Sequence, residues 1–210
     1  MPGRFISIEG GDGAGKSTQL TTIAEILGAH DIEFVMTREP GGTPLGEALR
    51  ELLLNQGKQI LAKDTELMLM FAARAQHVEA VIKPALAQGI WVVSDRFSDA
   101  SFAYQGAQGL PLERIQALSD WVLQGFLPDL TLLFDLSVEQ GFARVNQRGE
   151  QQDRFEKEPL AYKQRVRQIY RSRAEAEPGR ISIIDARGDI ESVSQQVKQQ
   201  LNAFIEAMPA

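Results

Sequence analysis

Cysteine is absent from the 210 residues of this sequence, and histidine occurs only twice. The lack of cysteine excludes disulfide bonds and thiolate metal sites, and it is typical of proteins from a reducing compartment. No apolar stretch approaches the roughly 18 residues that a membrane span requires, and the first residues do not have a signal-peptide pattern. We therefore expect a cytoplasmic protein without membrane contact.

Basic residues are fewer than acidic ones. The sequence has 22 Lys and Arg residues and 28 Asp and Glu residues, which gives a net charge of −6. Nucleic acid binding requires a basic surface, so we expect no general affinity for nucleic acid. The length and the hydrophobic content of 43% allow a sizeable core and predict a single domain over residues 1–210. His30 and His77 are not spaced for a metal site or a catalytic triad, and we interpret both as structural.

The phosphate-binding pattern GxxxxGK[ST] occurs at residues 10–17. A short apolar strand at 5–8 precedes it and a helix at 19–27 follows, which favours a phosphate loop over a glycine turn that merely caps a helix. Glycines let backbone N–H groups point at phosphate oxygens, and Lys16 can reach the β- and γ-phosphates. The Ser17 hydroxyl is a candidate ligand of a bridging Mg²⁺. The predicted ATP-binding loop comprises Gly10, Gly11, Asp12, Gly13, Ala14, Gly15, Lys16, Ser17 and Thr18.

Short apolar strands alternate with helical segments along the rest of the chain. After the first strand, we predict strands at 33–36, 90–94, 130–135 and 181–184. Strands that are nearly continuous in apolar residues and separated by helices indicate an α/β fold of the P-loop nucleoside triphosphate hydrolase type, with a five-stranded parallel sheet and helices on both faces. In the third helical segment, residues 64 and 65 are expected to cap the helix, and Pro84 to interrupt it.

Candidate functional residues follow the third predicted strand, at the edge of the sheet where such folds bind ligands. Asp95 can hold the water shell of a Mg²⁺ ion, and Arg96 can donate to transferring phosphates. An ion pair with a structural role is the alternative interpretation. Ser101, Tyr104 and Gln105 lie near helical spacing and could face the same cleft, although a surface helix explains them equally well.

The helix after residue 64 carries an arginine on an apolar face that consists of Leu67, Met70, Phe71, Arg74 and Val78. A buried guanidinium needs an anion or carbonyl partner, since an unpaired buried charge is costly. Phe71 could therefore stack on a nucleotide base while Arg74 bonds the carbonyl edge of that base. A core helix with a snorkelling arginine is the alternative, and periodicity alone favours it.

Arginines flank a predicted helix break at Gly149. Arg144 and Arg148 lie four residues apart and share a helical face, and Arg154 follows the break. The segment from about 144 to 156 could be a flexible lid that carries positive charge onto a polyphosphate. A solvated basic loop explains the pattern equally well.

Together these motifs resemble the thymidylate kinase family in its bacterial form, in the same order and over nearly the whole chain. The matching segments are 10–17, 38–43, 71–74, 95–97, 103–106 and 148–154. The resemblance implies transfer of the ATP γ-phosphoryl group to dTMP, which gives dTDP for dTTP synthesis, with Mg²⁺ as cofactor. It also implies a homodimer.

Roles for individual residues follow from the resemblance. Phe71 would stack on thymine, Arg74 would bond its O4 atom, and Asp12 would hold the sugar 3′-hydroxyl. The acceptor phosphate would be held by Arg38, Arg50 and Arg96, and the base and sugar would be surrounded by Ser101, Tyr104 and Gln105. The adenine of ATP would lie by residues 185–188, which include Arg187, with Arg144 stacked on it. Mg²⁺ would be held by Ser17 and Asp95, and the catalytic residues would be Lys16, Arg96, Arg148 and Arg154.

Gly13 departs from part of the family, in which an arginine follows the loop aspartate. In members that lack this arginine the lid carries the charge, so Arg148 is expected to stabilise the transferring group, with Arg154 second. The acceptor phosphate is already an anion, so the reaction needs no dedicated general base.

Two other functions remain open from the sequence. A different nucleoside monophosphate kinase or a deoxynucleoside kinase would share the phosphate loop, although a pocket that stacks a base and donates to a carbonyl suits thymine better than adenine. A switch protein of the GTPase type would normally contain an Asn-Lys-x-Asp guanine motif, which the sequence does not have.

Overall fold

The structure, a computed structural model, describes residues 3–54, 60–148 and 154–207. Within these ranges the chain forms a five-stranded sheet in the order β2-β3-β1-β4-β5, and every neighbouring pair is parallel. The strands are β1 (Phe5–Gly10), β2 (Phe34–Arg38), β3 (Trp91–Asp95), β4 (Leu130–Asp135) and β5 (Ile181–Asp185). The predicted five-stranded parallel sheet is confirmed.

Helices follow or separate these strands in the order that the sequence predicts. They are α1 (Lys16–Ala29), α2 (Pro44–Leu54), α3 (Lys63–His77), α4 (Lys83–Ala87), α5 (Ser98–Ala107), α6 (Leu112–Leu123), α7 (Val138–Arg148), α8 (Leu160–Ala176) and α9 (Ile190–Glu206). A π-helical turn at Val78–Ile82 joins α3 to α4, and Pro84 lies in the first turn of α4, where a missing N–H group costs little. None of the described helices is long and apolar enough to cross a membrane.

The start of α3 differs from the prediction that residues 64 and 65 cap it. The N-cap residue is Ala62, which makes no side-chain hydrogen bond to the helix, and the helix begins at Lys63. The Asp64 carboxylate instead pairs with Arg114 at 2.8 Å. Both predicted capping residues therefore lie inside the first turn of the helix.

Apolar side chains cover both faces of the sheet because successive residues of a strand point to opposite sides. On one face, Ile6 and Ile8 of β1 pack in the core cluster that contains residues of α1 and α9. On the other face, Phe5 packs with Val78 and Ile82 of the π-helical turn. Burial on both sides explains why the strands read as nearly continuous apolar runs.

The position of β1 at the centre of the sheet determines where the functional loops meet. Its neighbours are β3 and β4, which come later in the chain, so the strand order reverses at β1. Ile8 of β1 is paired with Asp95 of β3, and the Arg96 backbone N–H donates to the Ile8 carbonyl at 2.9 Å. The phosphate loop after β1 and the residues after β3 are therefore adjacent at the carboxyl edge of the sheet, where open α/β sheets bind ligands.

Candidate active site

The loop between β1 and α1 has a backbone that only glycine allows at its first position. Gly10 has a φ of 141°, and a Cβ atom there would lie 2.5 Å from the Phe134 carbonyl oxygen. The loop ends at Gly15, the N-cap residue of α1, so the positive end of that helix faces the loop. Ser17 and Thr18 are exposed in the first turn and accessible to a ligand.

Two cationic side chains converge on one backbone oxygen of this loop. The buried Lys16 donates through Nζ to the carbonyl oxygens of Gly10 and Gly11, both at 3.0 Å, and Arg96 donates through Nη1 to the Gly10 oxygen at 3.1 Å. Burial, together with the charge of Arg96, lowers the pKa of Lys16 to about 8. Since the two cations repel each other, an anion between them would be strongly favoured.

Arg96 is held from several sides in an unusual backbone conformation. Its φ of 73° lies in the left-handed region, which residues with side chains rarely adopt. Its guanidinium donates to the Tyr104 hydroxyl at 2.9 Å and the Tyr170 hydroxyl at 3.2 Å, and lies 3.5 Å from an Asp12 carboxylate oxygen. Burial alone would lower the pKa of Arg96, but these three oxygen-bearing side chains raise it well above its ordinary value.

Glu9 is a site residue that the sequence interpretation did not single out. Its Oε1 atom accepts from the Phe97 backbone N–H at 2.7 Å, and its Oε2 atom accepts from the Tyr170 hydroxyl at 2.6 Å. Burial, and then the charge of Asp99, raise the pKa of Glu9 to about 7. Glu9 thus links the ends of β1 and β3 to a tyrosine that contacts Arg96, although that tyrosine lies 161 residues later in the chain. No local sequence signal marks such a partner.

Asp95, the predicted metal residue, has a buried Oδ1 atom without a hydrogen-bond partner among the described residues. A buried carboxylate oxygen without a donor is costly, and a metal-bound water molecule would be such a donor. The described residues contain no group of three or more His, Cys, Asp or Glu side chains that could hold a metal by themselves. Mg²⁺ at phosphoryl-transfer sites is typically held by one or two protein groups, substrate phosphates and water, so this donor set fits the ion.

A pocket opens beside Asp12 and Arg96. We call it the arginine pocket. It is lined by Asp12, Glu39, Pro40, Arg50, Leu54, Met70, Arg74, Arg96, Ala100, Ser101, Tyr104, Gln105 and Phe155. Most of the residues predicted to hold the acceptor nucleotide therefore line this one pocket. The exceptions are Arg38 and Phe71, which do not line it.

Arg74 is buried and donates three hydrogen bonds within the protein, so its guanidinium does not extend to solvent. Its Nε atom donates to Glu39 at 2.7 Å, Nη1 donates to Ser101 at 3.0 Å, and Nη2 donates to the Phe97 carbonyl at 3.0 Å. A guanidinium has five N–H groups, so two remain for a ligand in the arginine pocket. His77 holds the other Glu39 oxygen through Nδ1 at 2.9 Å, and this contact agrees with a structural histidine.

The position of Phe71 differs from the position that the predicted stacking on a base requires. Its side chain is only 1% exposed and packs in the core with Leu67, Phe102 and Ile115. The face of its ring is already covered by the Arg74 guanidinium, whose Cζ lies 4.6 Å from the ring centroid. The preceding residue, Met70, lines the arginine pocket instead.

Arg38 also differs from its predicted role at the acceptor phosphate. It is more than half exposed and pairs with Glu47 at 2.9 Å, and it does not line the arginine pocket. Arg50 does line the pocket, where its Nη1 atom donates to the Pro40 carbonyl at 2.9 Å.

Close contact between the phosphate loop and α7 explains the glycine at position 13. Gly13 has a φ of 75°, and a Cβ atom there would lie 2.3 Å from the Gly141 carbonyl oxygen. A Cβ atom at Gly141 would in turn lie 2.5 Å from the backbone carbonyl oxygen of Asp12. The first part of α7 is thus packed directly on the loop, and no larger side chain fits at either position.

Two of the residues predicted around adenine, Arg144 and Gly188, lie along an open groove beside the start of α1. Arg144 donates to the Gly188 carbonyl at 3.3 Å, and both residues line this groove with Gly15 and Thr18. We call it the outer groove. Arg187 does not line it, and its guanidinium forms an exposed pair with Asp185 at 2.6 Å.

The two lid arginines predicted to be catalytic are only partly described. Arg154 pairs with Glu66 at 2.5 Å and lies over the Phe155 ring, and it lines neither the arginine pocket nor the outer groove. Its guanidinium is therefore directed away from both nucleotide cavities, and its contact with a polyphosphate stays a prediction. The Arg148 side chain and residues 149–153, which include Gly149, lie outside the described residues.

Comparisons with known proteins show which family this chain belongs to. The sequence model of the family described as thymidylate kinase matches residues 8–197. The chain is similar to the thymidylate kinase of Methylobacillus flagellatus, with 50% identity over 97% of this chain and 99% of that protein. The thymidylate kinase of Pseudomonas putida strain GB-1 is 51% identical over 98% of each chain. That of Thiobacillus denitrificans is 53% identical over 96% of this chain and 97% of its own.

Proposed function

We infer that this chain, which belongs to the thymidylate kinase family, transfers the γ-phosphoryl group of ATP to dTMP. It is a nucleoside monophosphate kinase, and its products are dTDP and ADP. The observation that carries the assignment of the site is the convergence of Lys16 and Arg96 on the Gly10 carbonyl oxygen. One cation belongs to the phosphate loop and the other lines the arginine pocket, so an anion between them would lie where donor and acceptor meet.

On the donor side, the triphosphate would bind to the N–H groups of residues 10–18 and to Lys16, which reaches the β- and γ-phosphates. Adenine would lie in the outer groove, with Arg144 against it. Arg187 is a weaker candidate than Arg144 for binding adenine, because it is paired with Asp185 and does not line that groove.

On the acceptor side, the arginine pocket would hold dTMP, with its phosphate between Arg50 and Arg96. Two N–H groups of Arg74 would be available for the O4 atom of thymine, and Asp12 for the sugar hydroxyl. The ring of the base would pack on Met70. Ser101, Tyr104 and Gln105 would complete the walls of this pocket.

Ser17 and Asp95 are the residues that would hold Mg²⁺, because one offers an exposed hydroxyl and the other a buried oxygen without a donor. The ion would neutralise charge on the β- and γ-phosphates. The protein itself lowers the barrier to transfer through two side chains. Lys16 and Arg96 hold the reacting phosphates in line and neutralise the charge on the transferring group. A bond forms between an acceptor phosphate oxygen and the γ-phosphorus, and the bond from that phosphorus to the β-γ bridging oxygen breaks.

Two further features are proposed on the basis of the family. The homodimer is supported by large apolar side chains on the surface of α6, where Trp121 is 76% exposed. Sedimentation velocity would give about twice the 23.2 kDa chain mass if the dimer forms, and the chain mass if it does not. A cytoplasmic location is supported by the absence of cysteine.

The assignment is tested by the release of ADP from ATP and Mg²⁺ with dTMP, dUMP, dCMP, AMP and GMP in turn. We expect strong stimulation by dTMP and a large loss of it in Arg74→Ala, since that variant removes the donor to the base. Stimulation by a purine nucleotide would contradict the proposed acceptor. Hydrolysis of ATP or GTP that no acceptor increases would instead indicate an ATPase or a switch protein.

A further inference from the structure

A buried carboxylate behind the arginine pocket gathers three N–H donors. Glu66 lies in the first turn of α3, and its side chain is 2% exposed. Its Oε1 atom accepts from the amide Nε2 of Gln105 at 2.8 Å and from that of Gln108 at 2.7 Å. Its Oε2 atom accepts from Arg154 at 2.5 Å.

The chemistry of these groups fixes the direction of one amide in the pocket wall. A carboxylate that is paired with an arginine can only accept hydrogen bonds, so the NH₂ end of each glutamine must face it. Gln105 lines the arginine pocket, and its hydrogen bond to Glu66 commits the NH₂ end of its amide. The end of Gln105 that remains for a ligand is therefore a hydrogen-bond acceptor.

The donors of Arg74 and the oxygen of Gln105 together match one type of base edge. Arg74, Ser101 and Gln105 line the same pocket, and Ser101 already accepts from Arg74. Thymine offers a carbonyl oxygen at C4 next to an N–H group at N3. Cytosine offers an amino group at C4 next to a bare nitrogen, so both of its positions would face a group of the same kind.

We propose that Glu66 is a positioning residue that makes the pocket select a 4-oxopyrimidine over a 4-aminopyrimidine, because it holds the Gln105 amide with its oxygen toward the base. Glu66 itself touches no substrate in this arrangement. The inference rests on the proposed function, because it assumes that a pyrimidine monophosphate occupies the arginine pocket.

The test is the ratio of kcat/KM for dTMP to kcat/KM for dCMP in the wild type and in Glu66→Gln. A glutamine at position 66 can present either an oxygen or an NH₂ group, so the Gln105 amide becomes free to turn. We expect the ratio to fall roughly tenfold or more, since the wrong end of an amide leaves a buried group unpaired. A fall in the folded fraction, or a change at Arg154 that affects transfer, lowers both values alike and leaves the ratio unchanged.

Two controls tie the effect to Gln105. Gln108→Leu removes the other amide that Glu66 holds, and Gln108 does not line the arginine pocket, so the ratio should stay within about twofold of the wild type. Gln105→Met should lower the ratio, and adding Glu66→Gln to it should cause no further fall, because residues that act through one contact are not additive. If Glu66→Gln does not fold, Glu66→Met removes the same acceptor and should lower the ratio in the same way.

The outcomes separate this inference from the proposed function. A wild type that prefers dTMP, together with a Glu66 variant that keeps the same ratio, would overturn the role of Glu66 and leave the kinase assignment intact. Additive effects in the double variant would overturn it as well. A wild type without preference for dTMP would instead contradict the acceptor assignment on which the inference rests.

Discussion

Met70 and Phe71 are neighbours in α3, and their side chains point to different parts of the molecule. Successive residues of a helix are rotated by about 100° about its axis. Met70 and Phe71 can therefore lie one turn before Arg74 and still face different surroundings, one the pocket and the other the core. Met70 lines the arginine pocket, whereas Phe71 fills the core and supports the Arg74 guanidinium from behind. The residue that contacts the base should therefore be the methionine.

Replacement of each residue separates these roles. We expect Met70→Ala to raise the KM for dTMP by roughly tenfold, because it removes apolar contact with the base worth about 1.4 kcal/mol. Phe71→Leu should lower the free energy of unfolding by about 1 kcal/mol or more and change this KM by less than about threefold. Steady-state kinetics and urea unfolding measure both effects, and the reverse pattern of KM values would restore Phe71 as the stacking residue.

Glu9 is a single residue that should make stability depend on pH. Its pKa is raised from 4.5 to about 7 in the folded protein, first by burial and then by Asp99. Between these values the folded state keeps a proton that the unfolded chain has lost. The contribution of Glu9 to the free energy of unfolding is therefore highest below pH 4.5 and declines as the pH rises to about 7.

Glu9→Gln removes this titration. From about pH 5 to pH 8, the free energy of unfolding of the wild type should fall relative to that of the variant by roughly 1–3 kcal/mol, at about 1.4 kcal/mol per unit of pKa shift. Urea unfolding at several pH values measures the difference. Glu25→Gln, at an exposed position of α1, is the matched control and should leave the slope unchanged. Parallel pH profiles of the wild type and Glu9→Gln would contradict the raised pKa.

At the scale of elements, α5 and α8 are joined by a buried ionic contact at Asp99. Its carboxylate accepts from Arg180 at 2.7 and 3.1 Å and from Arg173 of α8. Burial by itself would raise the pKa of Asp99, but hydrogen bonds from Arg180 and the charge of Arg173 hold it below its ordinary value. The contact fixes α5, which carries Ser101, Tyr104 and Gln105.

Asp99→Asn should therefore destabilise the protein by about 1.5–3 kcal/mol, because it removes the buried charged acceptor of both arginines, which keep only the half-buried Glu177 as an anionic partner among the described residues. Asp64→Asn breaks the pair with Arg114, in which both side chains are 56% exposed, and should cost about 1 kcal/mol or less. Unfolding in urea, followed by circular dichroism, compares the two variants. Equal costs would show that burial of the ion pair has no part in stability.

The lid is the element in which the proposed catalytic arginines can be ranked. Arg148→Ala should lower kcat by about 10³, in line with the loss of an arginine finger, with little change in the KM for dTMP. Arg154→Ala should cause a smaller loss, because Arg154 pairs with Glu66 and lines neither nucleotide cavity. A loss confined to KM in Arg148→Ala, or a larger loss of kcat in Arg154→Ala, would reverse this ranking.

At the scale of the whole molecule, local patterns predicted the sheet and the phosphate loop because both depend on neighbouring residues. Strand boundaries moved by one or two residues, as with β1, which extends to Gly10. What the sequence could not predict are contacts between distant segments. The Glu9 contact with Tyr170, the core position of Phe71 and the Glu47 partner of Arg38 depend on how whole elements pack, and no periodicity encodes that packing.

The central claim is that the cations of the phosphate loop and of the arginine pocket act on one transferred phosphoryl group. The most direct measurement follows the label from ATP that carries ³²P at the γ-position, with dTMP and Mg²⁺ present. We expect labelled dTDP in amounts equal to the ADP formed, and almost none with Lys16→Ala or Arg96→Ala. Label that appears as inorganic phosphate whether or not dTMP is present would contradict it.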